Sequence, residues 1–329
     1  LLAIHCGRIV ALADTAQRVA LEVLAHQVDA ADHHPLVVAL ELLVADVVAA
    51  EGEGLGQDLL LAGLGGGGRG ISLSGGQQVT ITNCVFAGNV ANTSSEGGLS
   101  GGAIYAAGLG RLTVIDTLFA TNGVEFARFN ASQPWHYLSG TAIYANNTLV
   151  TLAGCAFRAN AGRPHDYAGC GGTVLLEGSC GGSVISNCLF VGNMDAKPGW
   201  GSSAGGTLHL KLSTVDAAVD MVNCTLAFNC TDASGAGGIC VEKGCLNLIN
   251  SIVYGNRQFS SSAGPRDLDV RADGTVNASY CLFTGDAAPY IRCTGTTNFT
   301  NVIYADPKFV TTDAEVQAQR ETGTQRYRL

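Results

Sequence analysis

The chain has 329 residues with 18 basic and 27 acidic side chains, a net charge of -9, so it lacks the basic surface from which phosphate contacts release counterions; nucleic acid is not an expected partner. Hydrophobic residues make up 47% and charged residues 14%, with 44 Gly against 7 Pro, which excludes a disordered chain and a collagen-like polymer and indicates a folded protein with many turns. No stretch reaches the roughly 18 to 20 uncharged apolar residues that cross a bilayer; the nearest, Leu36 to Ala50, is short and holds Glu41 and Asp46.

Residues 1–64 are rich in Leu, Ala and Val, and no FxxN phrase of the kind described below occurs there. The first residue is Leu, and no basic stretch, apolar core and small-residue cleavage site precede the fold, so a signal peptide is expected to be absent or already removed. Leu21, Leu24, Ala25 and Val28 have helical spacing, whereas Val19, Leu21 and Val23 alternate as a strand does. Three readings stay open for this segment: a cap over unpaired strand edges, degenerate coils, or non-native sequence.

From residue 65 the chain repeats itself. Seven copies of an eleven-residue phrase align: Val79 to Asn89, Leu112 to Asn122, Val150 to Asn160, Ser183 to Asn193, Val219 to Asn229, Leu246 to Asn256 and Val276 to Asp286. Their starts are separated by 33, 38, 33, 36, 27 and 30 residues. Period-2 alternation within each copy indicates a strand, and a second strand follows small residues, as at Gly101 to Tyr105, Gly140 to Tyr144 and Gly205 to Leu210. The spacing is too short for crossover helices, so the chain is expected to wind into an all-β, right-handed parallel β-helix over residues 65–310, followed by a tail at 311–329 that reads as truncated. In-register stacking, about 4.8 Å per coil, rewards like side chains in columns. One column holds Asn89, Asn122, Asn160, Asn193, Asn229, Asn256 and Asp286, expected as an amide ladder. A second holds Phe86, Phe119, Phe157, Phe190, Leu226, Val253 and Phe283, expected as an interior stack. The third holds Cys84, Thr117, Cys155, Cys188, Cys224, Ser251 and Cys281.

The FxxN phrases (Phe86 to Asn89, Phe119 to Asn122, Phe157 to Asn160, Phe190 to Asn193) with the GGAI of Gly101 to Ile104 resemble the repeat of chlamydial polymorphic membrane proteins and, more broadly, of secreted right-handed β-helix repeat proteins. Asp306, Pro307 and Phe309 resemble a DPxF phrase that closes such helices. The resemblance implies the fold and leaves function open among adhesins, autotransporter passengers and polysaccharide-degrading enzymes. Only one copy has a strict GGAI and no membrane barrel follows, which sets the chain apart from an autotransporter.

The five cysteines of the third column are expected to pack in the interior, because Thr and Ser alternate with them and space-filling fits that exchange better than ligation. No CxxC occurs, and neither a metal nor a cofactor is expected. Sequons begin at Asn92, Asn130, Asn146, Asn223, Asn229, Asn277 and Asn298 and are compatible with secretion.

Three consecutive turns carry long loops between the FxxN phrase and the next Gly-rich strand: Gly123 to Leu138, Ala161 to Gly169 and Met194 to Ala204. Occupying the same position in adjacent coils, they are expected to project from one flank. They hold Trp135, Tyr137, Asp166, Asp195 and Trp200, the aromatic faces and polar groups that a sugar ring or a peptide surface requires, so these are the candidate ligand-binding residues. Were this flank catalytic, His136, His165 or Tyr167 would supply a base and Arg163 or Lys197 would neutralise a uronate carboxylate. A second candidate is Asp267, Asp269, Arg271 and Asp273, alternating along one strand; two carboxylates there have the spacing glycosidases use, and the blander reading is a solvated outer face. His209, alone on its strand, reads as an outward or satisfied side chain. The expected function is a secreted or cell-surface scaffold, extracellular in location, that binds a glycan or a cell-surface protein through the three-loop flank. The alternatives are a polysaccharide lyase or hydrolase on the same flank, and a structural rod that self-associates end to end.

Overall fold

The computed structural model describes residues 2–5, 9–10, 70–76, 78–93, 99–126, 138–163, 170–195, 205–231, 235–258, 266–285 and 290–310. They form a right-handed parallel β-helix in which every strand pair is parallel and each coil pairs with the coils above and below. One coil illustrates the path. Ile104–Ala107 lies in a first sheet and Arg111–Ile115 in a second, the two merging into one fifteen-stranded sheet through the long strands Ile239–Ile249 and Leu268–Ser279; Leu118–Ala120 lies in a third and Gly123–Phe126 in a fourth. The short strand Leu138–Ser139 then returns the chain to Ile143–Asn146, the first-sheet strand of the next coil. Two strands per repeat were legible in the sequence; the third, fourth and returning strands are only two to four residues long, too short to show a period.

The phrase copies stack residue on residue: Val79 on Leu112, Leu112 on Val150, Ser183 on Val219, Val219 on Leu246, and Leu246 on Val276. The third sheet has nine strands, two more than the phrase copies, because Ile9–Val10 pairs with Phe86–Ala87 at one end and Ile303–Tyr304 with Leu282–Phe283 at the other. Between the second and third sheets the backbone turns through a left-handed residue in every coil, at Asn83, Asp116, Gly154, Asn187, Asn223 and Asn250 among others, with φ between 46° and 65°. Asn, Asp and Gly adopt that conformation most readily, which explains the Asn, Asp or Gly before six of the seven Cys, Ser or Thr residues; Tyr280, before Cys281, takes it at φ 56°.

Alternation sends one residue in two into the coil. Phe86, Phe119, Phe157 and Phe190 are wholly buried, with ring centroids 5.1, 4.7 and 4.5 Å apart and planes within 4° of parallel. The strand ladder sets this spacing, near the lower limit for aromatic pairs. At the next corner the amides form a continuous ladder. Asn193 shows the pattern: its Nδ2 donates to Asn229 Oδ1 at 2.9 Å and to Phe157 O at 3.0 Å, while its Oδ1 accepts from the backbone N–H and the Nδ2 of Asn160.

The ladder ends differently from expectation. Asn256 donates from its backbone N–H and from Nδ2 to Oδ1 of Asp267, at 3.2 and 3.0 Å, and Thr284 N–H donates to Oδ2 at 3.0 Å. Asp267, which follows Asn256 by eleven residues, thus takes the rung assigned by the phrase to Asp286; Asp286 lies outside the described residues. In earlier coils the corner position of Asp267 holds Gly or a small residue. A Cβ on Gly238, the residue in register below Asp267, would come within 2.4 Å of Asp267 O and 3.2 Å of Asn256 Nδ2.

The mixed Cys, Thr and Ser column has a hydrogen-bonding cause besides volume. Thr117 and Ser251 hydroxyls donate to the carbonyl two residues back at 2.8 Å, and Cys188, Cys224 and Cys281 thiols do so at 3.2 Å. The same side chain accepts a backbone N–H from the neighbouring coil, as Cys224 Sγ does from Cys188 at 3.4 Å and Ser251 Oγ from Cys224 at 3.0 Å. Cys84, Cys155, Cys188, Cys224 and Cys281 are free thiols. Cys224→Ser is therefore expected to stay within about 1 kcal/mol of wild type, whereas Cys224→Ala, nearly equal to Ser in volume, strips the Cys188 N–H of its acceptor and costs about 2 kcal/mol. Urea unfolding of both variants checks this; equal losses would show that volume alone governs the column.

Candidate functional site

Of the loop residues singled out from the sequence, Trp135, His136, Tyr137, His165, Asp166, Tyr167, Lys197 and Trp200 lie outside the described residues. Arg163 and Asp195 are placed as the last residues of strands Ala161–Arg163 and Met194–Asp195. The loops begin later than expected: Gly123, Ala161 and Met194 each open a fourth-sheet strand, held by N–H bonds to Asn89, Asn122 and Asn160 carbonyls. Their take-off strands are paired, Gly123 with Ala161 and Ala161 with Met194, so the three connections leave the coil from one flank.

The described residues place chemistry on two outer faces instead. On the first sheet an outward column runs Tyr105, Tyr144, Leu175, His209, Cys240, Asp269, Arg292, each paired in register with the next. Leu175, His209, Cys240 and Asp269 are at most 4% exposed although they point away from the core. A half-exposed set of charges stands over them. Lys211 Nζ is 3.0 Å from Glu177, to which Tyr144 donates its hydroxyl hydrogen at 2.7 Å. Burial would raise the Glu177 carboxyl, yet these two donors outweigh it and hold Glu177 below the usual carboxylate range, while burial drives the Tyr144 hydroxyl above the ordinary phenol range. His209 Nε2 meets Glu242 at 3.2 Å, and this bond holds Glu242 low; His209 Nδ1 is buried with no partner among the described residues. Gly172, in the left-handed region at φ 72°, lies so near that an added Cβ would sit 3.0 Å from the Cβ of His209.

His209, Cys240 and Asp269 are neighbours in this column, and their residue types are those of thiol catalysis. Electrostatics excludes that role: burial and the Asp269 carboxylate push the Cys240 thiol far above its ordinary value, and the residue has no exposed surface. The expectation that Asp267, Asp269, Arg271 and Asp273 share a solvated face is corrected in the same place. Asp267 sits at the corner and is wholly buried in the amide ladder, and Asp269 is 1% exposed. A register shift between Val241 and Lys243 breaks the alternation before Asp273. Only Asp269 and Arg271 meet, at 3.5 Å. His209, read as an outward or satisfied side chain, faces outward and is hydrogen-bonded through Nε2 to Glu242 in this charged row.

The outer face of the second sheet is open. Asp220, Asn247, Asn277 and Asn298 stack in register, and Nδ2 of each Asn donates to the side-chain oxygen of the residue before it, at 2.9, 2.9 and 2.8 Å from Asn298 back to Asp220. A second outer ladder joins Asn250 to Asn223 at 2.7 Å and Asn223 to Asn187 at 3.3 Å. The first ladder lines a groove of about 320 Å³ with Val222 and Ile249 beside it, Ile249 being 38% exposed. Sequence reasoning missed this groove, though a signal existed: the second residues of the seven phrases are Thr80, Thr113, Thr151, Val184, Asp220, Asn247 and Asn277, a column as ordered as those recognised. Among the sequon residues, Asn229 is buried and Asn223 exposed.

Among the described residues no group of three or more His, Cys, Asp or Glu side chains is arranged to hold a metal ion, and no helix is long and apolar enough to cross a membrane. Residues 64–215 match the family model described as the right-handed beta helix region. No curated protein and no solved structure matches the chain. The matched span stops before the groove and before Glu242, Asp269 and Arg292, and continued parallel pairing of the strands carries the fold on to them.

Proposed function

We propose that the protein is a non-enzymatic β-helix scaffold, displayed outside the cell or on its surface, that binds a hydroxyl-rich chain, a polysaccharide, along the outer face of its second sheet. The observation that carries this reading is the exposed amide ladder Asp220, Asn247, Asn277, Asn298 with its groove. Asn247 and Asn298 spend one Nδ2–H on the residue before and keep a second N–H, whereas Asn277 gives its two to Asn247 and Cys245 and keeps an oxygen lone pair; together they offer the donors and acceptors a sugar hydroxyl needs. Val222 and Ile249 give the C–H face of a ring an apolar surface. Because the ladder is fixed by the coils, little side-chain freedom is lost on binding.

The lyase or hydrolase alternative gains less support. General acid, base or nucleophilic work needs a carboxylate or imidazole free to exchange a proton or attack, and on the first sheet Glu177, Glu242 and Asp269 are each engaged by a cationic partner or by His209. The test is a panel of neutral and acidic polysaccharides presented to the purified protein, with binding and product release measured together. Binding is expected without reducing ends or unsaturated uronates, and Asn277→Ala, which removes one rung, is expected to weaken it about ten-fold. Unchanged affinity in Asn277→Ala would remove the groove from the account, and turnover would replace the scaffold reading with the enzymatic one.

A further inference from the structure

The groove on the second sheet has a sign. Of the nine residues that line it, Asp220 alone is charged, and neither Lys nor Arg stands among them. Asp220 is exposed, and its Oδ1 accepts the Nδ2–H of Asn247 at 2.8 Å, one hydrogen bond for a carboxylate that can accept about four. The other neighbours on that face are apolar. Val184 is paired in register with Asp220 on the side away from Asn247, while Ala218 and Val222 lie two residues either way along the strand, and alternation turns them to the same side. Among the described residues no ion pair joins Asp220 to a cation. Its charge is felt beside the groove: burial first, and then the Asp220 carboxylate, raise the Cys245 thiol above its ordinary value. A carboxylate fixed at the end of a row of amides, with no cation beside it, favours a ligand that brings positive charge and disfavours one that brings negative. The net charge of -9 acts in the same sense.

We propose that the groove takes a polysaccharide built of amino sugars, with a protonated amine of the polymer on Asp220 and its hydroxyls on the Asn rungs. This rests on reading the groove as a glycan site and narrows that reading to one class. An ammonium carries three donors and no acceptor, the complement of carboxylate oxygens that have lone pairs to spare. Val222 and Ile249 give the pair an apolar flank, where it is worth more than in open water. A neutral glycan leaves the charge of Asp220 unanswered, and a uronate polymer sets like charges against each other.

Hexamers of glucosamine, N-acetylglucosamine and galacturonate share a length and present an amine, an amide and a carboxylate to the full chain. In low salt at about pH 6, where an amine is protonated, calorimetry is expected to show the glucosamine hexamer binding about five-fold more tightly than the acetylated one, the upper range for one exposed ion pair, and the galacturonate hexamer binding most weakly. High salt should shrink the preference by screening it. Asp220→Asn keeps the oxygen that accepts from Asn247 and removes the charge, so it should erase the preference for the amine. Asp220→Glu keeps the charge and should retain part of that preference, which guards against a folding defect in the amide variant. An undiminished preference in Asp220→Asn, or a galacturonate hexamer that binds as tightly as the glucosamine hexamer, would overturn the proposal. Equal binding of all three hexamers, each weakened by Asn277→Ala, would overturn the amine and leave the groove as a glycan site. No binding of any hexamer, or binding indifferent to Asn277→Ala and Asp220→Asn alike, would overturn both readings.

Discussion

Replacing Asn193 by Ala is expected to cost on the order of 4 kcal/mol of folding stability. The loss is a sum of orphaned groups. Asn160 N–H loses its acceptor at Asn193 Oδ1, Asn229 Oδ1 loses one donor, and Phe157 O loses the Nδ2–H that reaches it at 3.0 Å. All of them are buried, so water cannot replace the missing partner, and each costs about 1 to 3 kcal/mol. Asn193→Asp should be nearly as harmful at neutral pH, because a buried carboxylate would face Phe157 O and Asn229 Oδ1 with no proton to donate, and it should recover partly in acid. Denaturant unfolding followed by far-ultraviolet circular dichroism checks both. A loss below 1 kcal/mol for Asn193→Ala would show that the ladder is incidental to stability. Because coils contact only their neighbours, unfolding of these variants should begin near the altered rung.

Asp267 is expected to make the protein more stable in mild acid than at neutral pH. Burial is the main cause that raises its pKa from 3.8 to about 6, and the donated hydrogen bonds from Thr284 and Asn256 hold it back from rising further. A carboxyl whose folded value lies above its unfolded value binds its proton more tightly when folded. Its contribution is therefore complete below about pH 4 and is lost as the pH climbs to about 6, a change on the order of 3 kcal/mol. Glu177 and Glu242, held low by their partners, act in the opposite sense, so the wild-type curve alone mixes the effects. Asp267→Asn separates them. The amide does not titrate, and it sets an NH2 group against the Thr284 N–H that now donates to Oδ2. The stability difference between wild type and Asp267→Asn should shift toward wild type by up to about 3 kcal/mol between pH 7 and pH 4. A difference that is flat with pH would mean that Asp267 stays ionised throughout.

The repeat, the coil register and the Phe and Asn columns were legible in the sequence because each is a one-dimensional pattern that the parallel ladder copies directly into space. Phe86 on Phe119 and Asn160 on Asn193 need no tertiary information beyond the phrase alignment. Where the reading failed, the structure departs from the phrase. Asp267 was placed on a solvated strand face, but it lies at a corner, where alternation does not apply, and fills a rung by reaching in from the next coil. His209, by contrast, is the outward or satisfied side chain expected, and only its partner was hidden: Glu242 stands on the adjacent strand at a register shift that no spacing rule reveals. The amide groove could have been found: the second phrase position changes from Thr to Asp and Asn at Asp220, but the column was not read because it faces outward. The cysteine column was understood by volume and only half explained, since the carbonyl two residues back is a partner that sequence spacing does not display.

Both amide ladders have a polarity. Inside, donors point from Asn89 toward Asp267; on the outer face they point from Asn298 toward Asp220, the opposite way along the axis, and each line terminates on an acid that accepts and has nothing further to give. Such a terminus makes the intervening rungs interchangeable. A duplicated unit inserted between Asn122 and Asn229 would find a donor below and an acceptor above, and the closing acid would be unaffected, so the rod can grow or shrink by whole repeats during evolution or by design without a new stop signal.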